Sequence, residues 1–126
     1  MKADKLSDLV AVTAAAFEKE HQKLRPILEQ EARVQNRISQ LDAQLAQVRS
    51  TAAGATGYIM AGADVIWYGW EASTRRQLNT ELARIRSQKL AMMDGLRQAF
   101  GRKQAVESLV ERQATALRRA RLRKTD

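Results

Sequence analysis

A chain of 126 residues is long enough for one domain with a core, and its 22 basic against 14 acidic side chains leave a net charge of +8 and a pI near 10.4. The absence of cysteine excludes a disulfide framework, a thiolate zinc site and a thiol nucleophile, and it suits a reducing compartment. One proline, few β-branched runs and 44% apolar residues at helical spacing give no strands from which to build a sheet.

The chain opens without the pattern of a secretory signal. Met1 to Asp8 is polar, and the apolar run Leu9 to Phe17 ends in Glu18-Lys19-Glu20 with no cleavage site. From Leu24 a spacing of three and four collects Ile27, Glu31, Val34, Ile38, Leu41, Leu45 and Val48, and run backwards it collects Glu20, Phe17, Thr13, Val10 and Leu6. This predicts one amphipathic helix over about residues 4–51. Pro26 lies inside it, removes a backbone donor and crowds the preceding turn, so a kink or break is expected near residues 23–25. The register survives the proline, which favours the kink.

Four of the six glycines fall between Thr51 and Trp70, and a glycine weakens a helix by roughly 1 kcal/mol relative to alanine. A Gly/Ala-rich turn is therefore expected at about 52–63, centred near residue 57 or 58, with Asp64 capping the next helix. The stretch Ala52 to Trp70 carries one charge, Asp64, which would cost about 3 kcal/mol in a bilayer core, so no transmembrane segment is expected. Shallow contact of Tyr58, Ile59, Trp67, Tyr68 or Trp70 with a membrane surface stays open. So does hydrophobic capping of the hairpin by Trp67 and Trp70, and capping and an outside contact can both hold if one ring is buried and the other exposed.

The second helix is predicted over about residues 64–123. Taking Leu82 as position a of a heptad puts Leu82, Lys89, Leu96, Lys103, Val110 and Leu117 at a, with Leu78, Ile85, Met92, Ala99, Val106, Gln113 and Ala120 at d. Ten of these thirteen positions are apolar, and Leu90, Met93, Phe100 and Leu109 widen the stripe beyond a two-stranded seam. The two stripes pair if the chain folds back between them. The expected fold is all-α, an elongated antiparallel two-helix coiled-coil hairpin that forms a single domain.

Polar residues on the seam point to register. With the turn near 57, Glu31 falls within about a turn of Lys89, whereas Glu20 falls near Arg97 and not Lys103. Glu31 and Lys89 are thus expected to pair. Heptads alone do not decide between a hairpin within one chain and a dimer.

Charge is uneven along the chain. Residues 1–63 hold eight basic and seven acidic side chains, and residues 64–126 hold fourteen and seven. The excess is concentrated at Arg118, Arg119, Arg121, Arg123 and Lys124, beyond the point at which the first helix is expected to begin opposite the second. At about 100° per residue these cations spread around the helix, which suits a socket that encloses the tip better than a flat membrane. A solvated helix end whose cations favour the C-terminal dipole is the simpler reading. No stacking aromatics accompany the tail, so specific nucleic-acid recognition is not expected.

Catalysis finds no support in the sequence. His21 is the only histidine and has polar neighbours; Glu18, Glu20, Glu29 and Glu31 read as helix charges; Gly54, Gly57 and Gly62 fit no phosphate-binding loop. The expectation is a non-enzyme with no cofactor and no metal.

The segment Trp67-Tyr68-Gly69-Trp70, then Arg75-Arg76-Gln77-Leu78-Asn79-Thr80-Glu81-Leu82, then Gln104 to Gln113 and a basic end, resembles the second helix of the FliJ-type proteins. These are small coiled-coil proteins of the flagellar export apparatus and their injectisome equivalents. The resemblance covers roughly residues 5–123 in architecture and about 50 residues in sequence flavour. It implies an antiparallel coiled coil, similar to part of the central shaft of rotary ATP synthases, that sits in the pore of a hexameric export ATPase, promotes its assembly and activity, and reaches toward a membrane export gate. Carried onto this chain, it implies ATPase contact through Leu6, Leu9, Val10, Phe17, Arg112, Leu117, Arg118, Arg119 and Arg121, and gate contact through Leu41, Leu45, Trp67, Trp70 and Leu78. Export chaperones are a further class of partner under it, and the implied place is cytoplasmic, peripheral to the inner membrane. The chain is shorter than many members, and its Gly/Ala-rich turn and Pro26 are not features the family requires. Two other classes remain open: a general coiled-coil adaptor or export chaperone that binds partner helices, and a non-specific cationic binder of nucleic acid or a membrane surface.

Overall fold

The computed structural model describes residues 2–54 and 60–125, with side chains described for residues 4–51 and 62–125. It contains two helices, α1 (Lys2–Gly54) and α2 (Met60–Thr125), which pack against each other as an all-α two-helix hairpin. The expected turn centre at Gly57, with Tyr58 and Ile59, lies outside the described residues.

Both helices run further toward the turn than expected. α1 continues through Thr51 to Gly54, and α2 begins at Met60. Alanine explains this extension, since Ala52, Ala53, Ala61 and Ala63 are the strongest helix formers and surround isolated glycines, each costing about 1 kcal/mol. Asp64 consequently sits inside α2, past its first turn, and is not the cap.

α1 also runs unbroken through Pro26, so the break considered for residues 23–25 does not occur. Proline removes the hydrogen bond to the carbonyl of Gln22, a loss of about 3 kcal/mol in a helix interior. Pro26 and Gln22 are both exposed, so water reaches that carbonyl. Leu24 and Ile27 on either side are buried, and burial stabilises by roughly 1.5–3 kcal/mol for each such side chain. Helix continuity through Pro26 follows from that balance.

The chain divides into two compact units, one of residues 1–25 with 90–126 and one of residues 26–89. In the second, Ile27, Val34 and Leu41 of α1 and Leu78, Leu82 and Ile85 of α2 form the buried seam. Asp42 meets Arg75 there, which runs the helices antiparallel with the pairing midpoint between residues 58 and 59. In the first unit Leu24, Ala99 and Val106 are buried, and the Phe17 and Phe100 rings meet at 5.7 Å between centroids. Gly95 gives room to Glu20, whose carboxylate Oε2 lies 3.0 Å from where a Cβ on residue 95 would stand.

Seam charges behave in two ways. Lys89 donates to Glu31 at 3.1 Å, as expected, and Arg86 Nε adds a second cation at 3.5 Å. Glu20, by contrast, accepts from Lys23 on its own helix at 3.4 Å and makes no ion pair with Arg97 among the described residues. The glycine at 95 explains the difference, because it lets the carboxylate settle against the α2 backbone, short of Arg97. Lys103 takes another partner altogether: its Nζ stands 4.9 Å above the Phe17 ring, within range of a cation–π contact.

Candidate functional site

The unit that holds the basic helix end presents apolar and cationic side chains together. Lys5, Leu6, Leu9, Leu109 and Gln113 line an open apolar depression of about 360 Å³ between α1 and α2. Leu6 is half-buried there, while Leu9 and Val10 are exposed on the side toward solvent. Phe17, further along α1, is half-buried between Phe100, Lys103 and the His21 ring, the last 6.4 Å away and nearly parallel. Phe17 therefore has neighbours of its own chain on several sides.

Past Ala116 the character of α2 changes. Every residue from Ala116 to Thr125 is exposed, including Leu117 at 55% and Leu122 at 67%. Arg112, Arg118, Arg119 and Arg121 are exposed as well, and no ion pair among the described residues engages them or Arg123 and Lys124. Arg123 and Lys124 occupy the last turn, where they favour the negative end of the helix dipole. That interaction accounts for two cations and leaves Arg118, Arg119 and Arg121 without a partner among the described residues.

In the turn-side unit the five residues singled out by the resemblance divide. Leu41 and Leu78 are buried between the helices, Leu45 and Trp67 are half-buried, and Trp70 is exposed. Leu41, Leu78 and Trp70 share one open groove, whose polar wall is Arg37, Gln40, Gln44, Thr74, Gln77 and Glu81. Trp67 faces Val48, Gln47 and Thr51 of α1, and its ring lies 5.5 Å from Tyr68 and 6.3 Å from Trp70. Both tryptophans thus border depressions shared with α1, Trp67 half-buried and Trp70 open to solvent.

A charged cluster at this end escaped the sequence reading. Glu71 is only 7% exposed and accepts from Arg75 Nε at 2.7 Å, one turn away on α2. Arg75 Nη2 also stands 2.7 Å from Asp42 Oδ1 across the interface, an ion pair in which the N–H is not aligned on the oxygen. Its hydrogen bond to Glu71, and then the contact with Asp42, raise the Arg75 pKa above the ordinary arginine value. The signal was available: continuing the heptad one repeat before Leu78 puts Glu71 at d and Arg75 at a.

Among the described residues, no group of acidic or histidine side chains is placed to hold a metal ion, and no helix is long and apolar enough to cross a membrane. No protein-family model matches this chain, and no curated protein or solved structure matches it either. What the geometry offers is two surfaces of different chemistry: an exposed cationic helix end mixed with leucine, and a tryptophan-bearing groove.

Proposed function

We propose that this chain is a non-catalytic central-stalk component of a type III protein export apparatus, flagellar or injectisome, and that its basic helix end enters a hexameric export ATPase. The observation that carries the reading is the stretch from Ala116 to Thr125, in which exposed leucines share a helix end with five cations, of which Arg118, Arg119 and Arg121 have no partner among the described residues. A socket lined by apolar and acidic groups would satisfy both kinds of side chain, and enclosure suits cations that spread around the helix. The resemblance to FliJ-type proteins in Trp67 to Leu82 and Gln104 to Gln113 names the ATPase as that socket. Under the same reading Leu6, Leu9, Val10 and Phe17 contribute to the ring contact, Trp67 and Trp70 face an export-gate membrane protein, and the protein works in the cytoplasm at the inner membrane.

The test is ATP turnover by the export ATPase of the same organism, with the full chain and with a chain ending at Ala116. Stimulation by the full chain that disappears on truncation is the expected result. Equal stimulation by both keeps the stalk and moves its contact to Leu6, Leu9 and Leu109. If neither binds nor stimulates, the export reading falls, and a coiled-coil adaptor is the better account.

A further inference from the structure

At about 100° per residue, the α2 residues Gly62, Val65, Ile66, Gly69, Trp70, Ser73, Arg76, Gln77, Thr80, Ala83 and Arg84 fall within an arc of roughly 140°. The part nearest the turn is apolar and open: Val65 is 73% exposed, Ile66 76% and Trp70 52%. A Cβ built on Gly62 or Gly69 meets nothing within 4 Å, so the backbone itself is accessible between the larger side chains. The following turns of the same arc carry exposed Arg76 and Arg84 and no acid. Of the three acids of this stretch, Glu71 is buried against Arg75 and Asp64 is half-buried on the side toward α1, while Glu81 is half-buried just past the edge of the arc and shares a shallow depression with Arg76 and Arg84.

We infer that this face of α2 lies on an anionic lipid surface, with Val65, Ile66 and Trp70 in the boundary between acyl chains and headgroups and Arg76 and Arg84 on lipid phosphates. Three features select a lipid over another occupant. An isologous contact with a second copy would bring two Arg76 and two Arg84 together with only the two half-buried Glu81 side chains at the edge to meet them, an excess of cations that anionic headgroups would neutralise. Tryptophan beside exposed aliphatics, with arginine immediately beyond, is the composition that interfacial helices use. The apolar patch spans only about nine residues, or roughly 13 Å of helix, enough for shallow seating and far too short to cross. This contact does not depend on the ATPase contact of the stalk reading, since it uses neither the basic helix end nor an ATPase, and it gives Trp70 a lipid surface in place of the gate protein.

Of the chain's two tryptophans, Trp70 lies in this patch and Trp67 stands beside it, with ring centroids 6.3 Å apart, so tryptophan fluorescence reports on the patch. The experiment adds the full chain to phosphatidylcholine vesicles containing about 30% phosphatidylglycerol, and to phosphatidylcholine alone, with lipids brominated on the acyl chain as quenchers. The expected result is a shift of emission to shorter wavelength and quenching by the bromolipid on anionic vesicles. Ile66→Asp should lower partitioning by roughly tenfold or more with helix content unchanged, because Ile66 supports no core. A triple Arg118→Ser, Arg119→Ser, Arg121→Ser variant should keep the emission shift and its quenching. No shift, no bromolipid quenching, or partitioning unaffected by Ile66→Asp each overturns the inference. Self-association that depends on Ile66 and proceeds without bromolipid quenching also overturns it, and assigns the face to a second copy.

Discussion

Lys89 Nζ lies 3.1 Å from Glu31 Oε1 and 3.4 Å from Oε2, which ties the two helices together across 58 residues of sequence. Glu31 also has Arg86 at 3.5 Å, so it neutralises two cations of α2 and not one. A double-mutant cycle with Glu31→Gln and Lys89→Met should show a coupling energy of roughly 1 kcal/mol, since the carboxylate is largely shielded and the pair sits on the seam. Exchanging the two charges should recover only part of the stability, because a lysine at 31 would face Arg86. Chemical denaturation of the four variants measures both, and a coupling near zero removes the pair as a determinant of register.

Gly101 is an exposed residue in the interior of α2, with nothing within 4 Å of a built Cβ. Alanine there should stabilise the hairpin by about 0.5–1 kcal/mol, because the methyl meets no neighbour and the unfolded chain loses conformational freedom. Gly95→Ala should gain less, since the same methyl would press on the Glu20 carboxylate at 3.0 Å. Thermal unfolding of both variants ranks them. A larger gain at 95 than at 101 would show that the Glu20 contact is not maintained in solution.

Glu71 and Arg75 occupy consecutive seam positions where a coiled coil ordinarily places apolar side chains. Glu71→Ala should lower the unfolding midpoint, on the order of 5 °C, by leaving the Arg75 guanidinium with Asp42 as its single partner. Glu71→Leu should recover part of this by filling the site with apolar volume. As for pH, the Arg75 pKa is raised, so the stability that its charge brings is complete below the ordinary arginine range and is lost only as pH rises through the shifted value. A denaturation series between about pH 6 and 10 should therefore show no step from this group.

The seam of the hairpin was legible because apolar spacing is a local property. Val34, Leu41, Leu78, Leu82 and Ile85 fall where the heptads place them, and the facing register of Glu31 and Lys89 follows from where the turn lies. Helix ends were less legible, since isolated glycines mark a turn only when their neighbours do not favour helix, and alanines surround Gly54 and Gly62. Pro26 was ambiguous for a related reason: whether a proline breaks a helix depends on whether the freed carbonyl reaches water, which spacing does not reveal. The Arg75 cluster and the different fates of Trp67 and Trp70 needed the partner helix, because burial of a charged or aromatic side chain depends on what faces it. Leu41 and Leu78 show the limit for the candidate surfaces, as an apolar seam residue and an apolar contact residue look alike until exposure separates them.

Removing everything after Ala116 should leave the hairpin folded. Leu117 and Leu122 are more than half exposed, and the cations between them have no internal partner among the described residues, so the core loses no buried side chain. The loss of Arg123 and Lys124 from the dipole and the fraying of a new helix end together should cost less than about 0.5–1 kcal/mol. Circular dichroism melting of the truncated chain against the full one checks this. A midpoint within a few degrees makes any loss of ATPase stimulation a loss of contact, whereas a large fall would mean that the tail supports the fold and that truncation cannot be read as removal of a binding surface.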